Sequence, residues 1–327
     1  MKEGGTTWME YVSLGGSPLT VSRLGFGCDP IGGHAWGAVD ADEAIRAISA
    51  AIDCGVTLFD TADCYALGES ERLLGKALRG RRDDVVIASK FGVRVGGVGR
   101  TVYDNSPAWL DVALESSLER LGTDRIDLYQ VHYWDGKTPI GAIFERLERK
   151  RDEGKIGYYG ITNIDLASHG FGALPPGLVS FSFEYSLADR RHEDTIRRMT
   201  ARQGLTLLSW GSLGQGVLTG KYGRDHKPGS DDRRSRPAYG NFHGARFAHN
   251  LEIVDALRAC GQRCGGRKPA QVAMRWILDR IDNAVVLAGI KSRAQLEENV
   301  GALDWRLGAQ AFETLERLSR TDALVEP

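Results

Sequence analysis

The order of apolar segments is the feature of this 327-residue chain that most restricts its fold. Short apolar runs alternate with stretches of helical spacing, such as Leu110, Leu114, Leu118 and Leu121, which end at Gly122. The strand-like runs are Leu24–Gly27, Val56–Phe59, Val85–Ala88, Ile126–Val131, Ile156–Ile161, Leu178–Phe183, Leu205–Trp210 and Val285–Ala288. Alternating strands and helices form parallel α/β sheets, and these runs suffice for a closed barrel. The sequence therefore predicts one (β/α)8 TIM barrel domain over residues 1–327.

Three segments depart from this alternation and are predicted to lie at the ends of the barrel. Glu10–Arg23 has a Gly15-Gly16 turn before the first barrel strand, which favours a β-hairpin that caps one end. Lys221–Asn250 shows no helical or strand period, and long loops inside compact domains are usually functional. Gly92–Gly99 is glycine-rich but lacks the G-x-G-x-x-G spacing, so it is interpreted as a flexible rim loop and no Rossmann domain is needed.

Charge and hydropathy exclude several classes of function. The net charge is −1, so no general affinity for nucleic acid is expected. The basic run Arg233–Arg236 is interpreted as a solvated loop, with contact to a cofactor phosphate as the alternative. No apolar run approaches membrane-spanning length and the first residues lack a signal-like core, so we expect no membrane contact and a cytoplasmic location.

The five cysteines do not indicate a disulfide framework or a metal site. Their number is odd and their spacing is unpaired, which suits a reducing compartment. Cys260 and Cys264 are four residues apart, but no second ligand pair accompanies them. We therefore expect free thiols and no structural zinc.

Four ionisable or polar side chains follow three successive predicted strands. Asp60, Tyr65, Lys90 and His132 stand at or just after the carboxyl ends of these runs, which converge on one rim of a parallel barrel. A phenol with a pKa near 10 is a poor acid–base catalyst unless its environment shifts it, and an adjacent ammonium lowers that pKa. Tyr65 is thus predicted to donate a proton, Lys90 to tune it, Asp60 to hold Lys90, and His132 to orient a carbonyl.

Each of these residues also has an ordinary structural interpretation. Asp60 alone is compatible with a helix cap, Tyr65 with a packing residue and His132 with a buried core histidine. Lys90 alone is compatible with a solvated lysine or with the Schiff-base nucleophile of a barrel aldolase. The four together, in this order and context, favour the catalytic interpretation.

The motifs around these residues resemble those of the aldo-keto reductases, in particular the bacterial NADPH-dependent type. They are FDTADCYALGESE from Phe59 to Glu71, IASKFG from Ile87 to Gly92 and DLYQVHYWD from Asp127 to Asp135. The resemblance extends over essentially the whole chain. It implies an NAD(P)H-dependent oxidoreductase that interconverts an aldehyde or ketone and an alcohol, with Tyr65 as general acid and base.

The resemblance also implies a set of cofactor-binding residues. GITN, LSWGSLGQGVLTGKY and AGIKSRAQLEEN match the segments that hold the nicotinamide, the pyrophosphate and the adenosine. The residues implied are Thr162, Asn163, Ser182, Trp210, Gly211, Ser212, Leu213, Gly216, Leu218, Lys221, Gly289, Lys291, Ser292, Gln295, Glu298 and Asn299. Because Lys291 and Arg293 suit a 2′-phosphate, we expect NADP(H) to be preferred, with NAD(H) possible.

Two positions depart from the family pattern. Ser182 occupies the place of a usual glutamine, so its contact to the carboxamide is expected to be lost or to pass through water, and Tyr185 is interpreted as the better nicotinamide-side residue. Asp29 stands where an apolar or aromatic pocket residue is usual, which favours a hydroxylated or cationic substrate; the alternative is that Asp29 caps a turn before Pro30. Trp36 and Tyr133 complete the expected substrate pocket.

Other functions remain open at this level. They are a sugar dehydrogenase that forms a lactone, a cofactor-binding regulatory subunit without turnover, and the barrel aldolase. The expected partner is a small carbonyl or sugar-like molecule, and both a monomer and a homo-oligomer are compatible with the sequence.

Overall fold

Eight parallel strands of the described chain close into a barrel. The computed structural model describes residues 8–33, 36, 39–95, 101–166, 174–230 and 232–320. The strands are β1 (Tyr11–Ser13), β2 (Thr20–Ser22), β3 (Leu24–Gly27), β4 (Leu58–Asp60), β5 (Val86–Phe91), β6 (Val93–Val95), β7 (Thr101–Tyr103), β8 (Ile126–Val131), β9 (Ile156–Thr162), β10 (Leu178–Glu184), β11 (Thr206–Trp210) and β12 (Ala284–Gly289). In the barrel β3, β4, β5, β8, β9, β10, β11 and β12 pair in that order, and β12 pairs with β3. The predicted (β/α)8 barrel is confirmed.

Helices alternate with the strands and cover the outside of the barrel. They are α1 (Ala41–Asp53), α2 (Glu69–Ala77), α3 (Pro107–Leu121), α4 (Ile140–Asp152), α5 (Glu193–Gln203), α6 (Gly244–Arg263), α7 (Pro269–Arg280), α8 (Arg293–Val300) and α9 (Ala309–Ser319). The leucine stripe of α3 is buried as predicted, and α3 ends at Gly122, which has a φ of 64°. Within the described ranges, no helix has the length and apolar character needed to cross a bilayer.

The N-terminal hairpin closes one end of the barrel, as predicted. β1 and β2 pair antiparallel, and Leu14 and Val21 are fully buried in a cluster with the barrel residues Leu58, Leu128 and Leu208. The turn packs directly against β10, since a Cβ on Gly15 would lie 2.5 Å from the carbonyl oxygen of Val179. Because the described residues plug this end with apolar side chains, the opposite rim is the end at which a ligand site is expected.

Two rim segments differ from the sequence interpretation. Val93–Val95 pairs antiparallel with Thr101–Tyr103 and forms a hairpin instead of an unstructured loop; residues 96–100 lie outside the described residues. The segment predicted as a loop up to Asn250 is already helical from Gly244. The buried face of this helix contains the polar Asn250, which donates to the Asn241 carbonyl oxygen. Because a polar residue occupies a buried position, the apolar spacing of a helix is interrupted in the sequence.

Candidate active site

The structure brings the side chains of Asp60, Tyr65 and Lys90 into direct contact. The Lys90 ammonium donates to Asp60 Oδ1 at 2.6 Å, to the Thr61 carbonyl oxygen at 2.9 Å and to Tyr65 Oη at 3.3 Å. Asp60 ends β4, Lys90 is the fifth residue of β5, and His132 directly follows β8. The imidazole of His132 lies edge-on to the Tyr65 ring, with 5.8 Å between the ring centroids. All four residues therefore meet at the carboxyl ends of adjacent strands.

An unusual turn holds Tyr65 in place. Tyr65 begins a 3₁₀ turn that precedes α2, and the next three residues, Ala66, Leu67 and Gly68, have φ values of 47°, 57° and 88°. Left-handed backbone is costly for residues with a side chain, so the surrounding structure must hold this turn. Arg120 packs on Gly68, where a Cβ would lie 2.5 Å from the arginine Cδ.

Burial raises the pKa of the Tyr65 phenol well above its usual range, and the nearby Asp60 carboxylate adds to the effect. The net direction is opposite to the lowering that the sequence interpretation expected from Lys90. Burial outweighs the ammonium, whose charge is offset by Asp60, which lies closer to it than Tyr65 does. The free site thus holds a protonated phenol, already hydrogen-bonded to a cation that can stabilise a phenolate when one forms.

His132 is a neutral imidazole in this environment. Burial lowers its pKa well below the usual range, and the charge of Lys90 lowers it further. The ring stacks on Tyr133 with 5.2 Å between centroids, and its Nδ1 lies 3.6 Å from Cys64 Sγ. Since Nδ1 faces the thiol, Nε2 is the nitrogen left to interact with a bound molecule.

A cavity of about 760 Å³ extends over this rim. Its walls contain the four residues above together with most of the residues predicted from the sequence. Those predicted residues are Asp29, Trp36, Tyr133, Thr162, Asn163, Ser182, Trp210, Gly211, Ser212, Leu213, Gly216, Lys221, Gly289, Lys291 and Gln295. The volume suits a ligand larger than a simple aldehyde, because drug-sized and cofactor sites fall in the range of about 300–1,000 Å³.

One part of the cavity presents unsatisfied amide-binding groups. Thr162 Oγ1 and Asn163 Nδ2 are buried and make no hydrogen bond among the described residues. Asn163 has a φ of 61°, which directs it away from the regular course of β9. Buried polar groups normally have partners, so these two atoms fit the carboxamide of a nicotinamide. The Ser182 hydroxyl instead donates to the Leu208 carbonyl oxygen at 2.6 Å, and its predicted direct contact is not available in this state.

Another part of the cavity is built for anionic groups. After Trp210 the chain turns through four glycines with positive φ, Gly211, Gly214, Gly216 and Gly220, which let backbone amides approach a ligand. Lys221, Lys291 and Arg234 line the same region. Burial lowers the pKa of Lys291, and the nearby charges of Arg234 and Lys221 lower it further. Lys221 and Lys291 are suited to the phosphates of a cofactor, and Arg234, which is paired with Asp232, is a third cation of this wall.

A third region joins the β3 loop to the long loop after β11. Trp36 Nε1 donates to Asp29 Oδ2 at 2.7 Å, and Arg233 Nη1 lies 3.7 Å from the same oxygen. The Arg233 guanidinium also lies over the Trp36 ring, 4.5 Å from its centroid. Lys291 Nζ donates to the Trp36 carbonyl oxygen at 3.1 Å. Arg233 and Arg234 thus belong to the cavity wall, and their interpretation as a solvated loop is wrong.

Several predicted residues lie outside the cavity wall. Leu218 is fully buried, Ser292 caps α8 by accepting from the Gln295 amide, Glu298 pairs with Lys268, and Asn299 is buried on α8. Tyr185 is also fully buried and packs on Trp276 of α7, so its interpretation as a nicotinamide-side residue is wrong. It follows the end of β10, where the alternation of side chains directs it toward the helices.

The sequence interpretation missed some residues of the cavity. Tyr103 of the rim hairpin packs on Tyr133 with 5.5 Å between ring centroids, and Val93 and Thr101 line the same wall. Gln215 and Tyr239 also contribute. Gln215 lies inside the LSWGSLGQGVLTGKY motif but was not selected from it, and no motif marks the other four residues, which the hairpin and the loop conformation bring to the rim.

Comparisons with known proteins agree with this geometry. The profile of the aldo/keto reductase family matches residues 23–320, so the chain belongs to that family. The aldo-keto reductase YhdN of Bacillus subtilis is 34% identical over 305 residues, which cover 92% of this chain and 91% of that protein. The aldo-keto reductase yakc [NADP(+)] of Schizosaccharomyces pombe is 33% identical over 296 residues, covering 88% and 85%.

A solved structure supports the same assignment. The glycerol dehydrogenase AKR11B4 from Gluconobacter oxydans superimposes with a TM-score of 0.86 at 29% identity, covering 97% of both chains. By its family the chain is an oxidoreductase that acts on carbonyl and alcohol groups. The family assignment and the barrel predicted from the sequence are both confirmed.

Proposed function

We propose that this protein reduces an aldehyde or ketone to an alcohol with NADPH, or catalyses the reverse reaction, and that its substrate is polar and sugar-like. The contact that carries the proposal is the hydrogen bond from Lys90 Nζ to Tyr65 Oη beside a neutral His132. A buried phenol held next to an ammonium is suited to give a proton to an alkoxide at the moment it forms.

The cofactor fits the cavity at both ends. Thr162 and Asn163 offer unpaired polar atoms to the carboxamide, and Lys221, Lys291 and Arg234 offer cations to the phosphates. NADPH, when bound, supplies the hydride. The name of the fission yeast relative specifies NADP(+), which agrees with a cationic phosphate region.

The residues of the chain have separate tasks in this proposal. His132 Nε2 donates to the carbonyl oxygen and fixes its direction. Tyr65 transfers its phenolic proton to that oxygen, and Lys90 stabilises the phenolate that results. Asp60 holds the ammonium and accepts from Gln130 Nε2 at 3.2 Å through its second oxygen. The low-dielectric setting of these buried groups strengthens each interaction.

Polar substrates are favoured by the part of the cavity wall that contains Asp29. The Asp29 carboxylate lines the cavity, and both of its described contacts use Oδ2, so Oδ1 is available to a substrate hydroxyl. The similar glycerol dehydrogenase acts on a polyol by its name, which agrees with this chemistry.

The Schiff-base interpretation of Lys90 has less support. A Schiff-base lysine must reach its neutral amine form, and this ammonium is held by a carboxylate, a carbonyl oxygen and a phenol at once.

A cofactor-oxidation screen tests the proposal. The purified protein is incubated with NADPH or NADH and with hydroxylated aldehydes, ketosugars, aminosugars or aryl aldehydes, and cofactor absorbance is followed. We expect NADPH oxidation, fastest with the hydroxylated carbonyls. Tight NADPH binding without turnover on any carbonyl or alcohol would favour the regulatory-subunit function instead.

A further inference from the structure

Three potential metal ligands, one of which is the imidazole of His132, lie close together beside the active site. In the described part of the chain, Asp63, Cys64 and His132 place a carboxylate oxygen, a thiol sulfur and an imidazole nitrogen within 4.8 Å of one another. In a tetrahedral site with Zn–S near 2.3 Å and Zn–N near 2.05 Å, sulfur and nitrogen stand about 3.6 Å apart. Cys64 Sγ and His132 Nδ1 are already 3.6 Å apart. The carboxylate oxygen needs to approach by at most about 1.4 Å to complete a set of three.

The electrostatic surroundings of Asp63 favour a bound cation. Asp60 is paired with Lys90 and Glu71 with Arg120, whereas Asp63 has no ion pair among the described residues. Its Oδ1 is buried without a hydrogen-bond partner there. A carboxylate oxygen without a partner, next to a thiol and an imidazole, is available as a metal ligand.

We propose that Asp63, Cys64 and His132 bind a thiophilic divalent cation such as Zn²⁺ or Cd²⁺, and that the bound cation inhibits carbonyl reduction. A thiolate, an imidazole and a carboxylate form a usual ligand set for zinc, with water as the fourth ligand. Cys64 lines the cavity, so the cation has a path to the site. The proposed role of Cys64 is that of a metal ligand. The sequence alone predicted no metal site and gave no signal for this role.

Binding is coupled to proton release. Cysteine binds a metal as the thiolate, so the Cys64 thiol must lose its proton. The Cys64 S–H bond therefore breaks as the sulfur–metal bond forms, and the proton leaves to solvent. No electron is transferred, and occupancy increases with pH.

Inhibition, unlike binding, rests on the proposed function. The cation holds His132 through Nδ1, so the ring can no longer adjust its position to the carbonyl it must orient. Its charge also favours the phenolate of Tyr65 over the phenol that donates the proton.

Cadmium titration tests binding without any turnover. The full chain is treated with a chelator, and the near-ultraviolet cadmium–thiolate absorption is followed as Cd²⁺ is added. We expect one strong site in the wild type and in Cys54→Ser, a matched control for an exposed thiol at the end of α1. Cys64→Ala should abolish this site, and Asp63→Asn, which replaces a charged ligand oxygen with a neutral one, should weaken it.

Two results would overturn the cation site. One is unchanged strong binding in Cys64→Ala, which means an adventitious ion only. The other, independent of any variant, is the absence of a thiolate charge-transfer band when Co²⁺ is added to the wild type.

Zinc inhibition tests the second half of the proposal. NADPH oxidation by the wild type and by Cys54→Ser should fall on addition of Zn²⁺ and recover with a chelator. The rate of Cys64→Ala with Zn²⁺ should stay close to the rate of the same variant without metal. If Zn²⁺ inhibits this variant as strongly as the wild type, the proposed block at His132 is contradicted. Cadmium binding without turnover in any variant would instead refute the proposed reductase function and leave the cation site standing.

Discussion

Lys90 and Asp60 form a buried ion pair of 2.6 Å, in which both side chains are less than a tenth exposed. This ion pair determines how the tetrad of Asp60, Tyr65, Lys90 and His132 works. Because the carboxylate neutralises the ammonium, Lys90 does not ionise Tyr65 in the free site, whose phenol is held in the protonated form by burial. Lys90 is instead positioned to stabilise the charge that develops on Tyr65 as its proton leaves.

Tyr65→Phe removes this proton donor and leaves the aromatic ring. Turnover should fall by roughly 10²- to 10⁴-fold, the usual contribution of general acid–base catalysis, while NADPH affinity stays nearly unchanged. Steady-state kinetics and fluorescence titration measure the two quantities. Tyr129→Phe is the matched control, since Tyr129 is fully buried outside the cavity wall and its loss should spare turnover. Near-native turnover in Tyr65→Phe would remove Tyr65 from the mechanism.

Asp60→Asn should shift the pH dependence of reduction downward. In the wild type, burial and the Asp60 charge both raise the Tyr65 pKa, so the phenol keeps its proton at a pH where a tyrosine in water has lost it. With a neutral amide the Lys90 charge is no longer offset, and the Tyr65 pKa falls. The alkaline loss of reductive kcat should therefore begin at a lower pH than in the wild type. An unshifted alkaline limb, measured over the range where both proteins stay folded, would contradict the proposed coupling.

The barrel and the rim position of the tetrad could be predicted from the sequence because both follow from local order. Parallel strands buried on two faces are continuous apolar runs, and the residues after them share one rim. The direction of the Tyr65 pKa shift could not be predicted, since it depends first on how far the folded chain buries the phenol and then on the nearby charge of Asp60.

Loop residues were harder to assign for a different reason. Arg233 reaches Asp29 and Trp36 across about 200 positions of sequence, and only the folded loop brings these residues together. Tyr185 was misassigned because its motif neighbours are correct while its own side chain faces the helices.

Lys291→Ala and Arg234→Ala should each weaken NADPH binding selectively. Loss of one charge-assisted contact costs on the order of 1.5–3 kcal/mol, or about 10- to 150-fold in Kd, and NADH, which lacks the 2′-phosphate, should be affected less. Arg293, which the sequence also assigned to the 2′-phosphate, is exposed, pairs with Glu297 and lies outside the cavity wall in this structure, so Arg293→Ala should leave NADPH affinity nearly unchanged. Isothermal titration with both cofactors measures the effect. Equal losses for NADPH and NADH would place neither residue at the 2′-phosphate.

Asp63→Asn should stabilise the protein at neutral and higher pH. The folded pKa of Asp63 is raised from the usual range of an aspartate to about 7, so the native state binds this proton more tightly than the unfolded chain does. The contribution to stability is complete below about pH 4 and is lost as pH rises through 7. The amide cannot ionise, so the variant should melt at a higher temperature than the wild type at pH 8 and approach it near pH 4. Thermal unfolding at both pH values, without added metal, measures this difference. A constant offset at both pH values would mean that Asp63 does not titrate in this window.

Asp29→Leu should change which substrates are accepted. Burial raises the Asp29 pKa and Arg233 opposes the rise, so the carboxylate depends on polar partners, which are Trp36, Arg233 and, in the proposed complex, a substrate hydroxyl or ammonium. A site built for such partners discriminates against an analogue that lacks them, since its own polar group is then left unpaired. The leucine variant should therefore lose kcat/KM for hydroxylated or amino substrates and keep, or gain, activity on a small aryl aldehyde. Because the substitution also frees Arg233, Asp29→Asn serves as the control that keeps the shape and a hydrogen-bond acceptor, and it should retain more of the polar-substrate activity. Equal losses on all substrates in Asp29→Leu would mean that Asp29 supports the cavity wall without selecting the substrate.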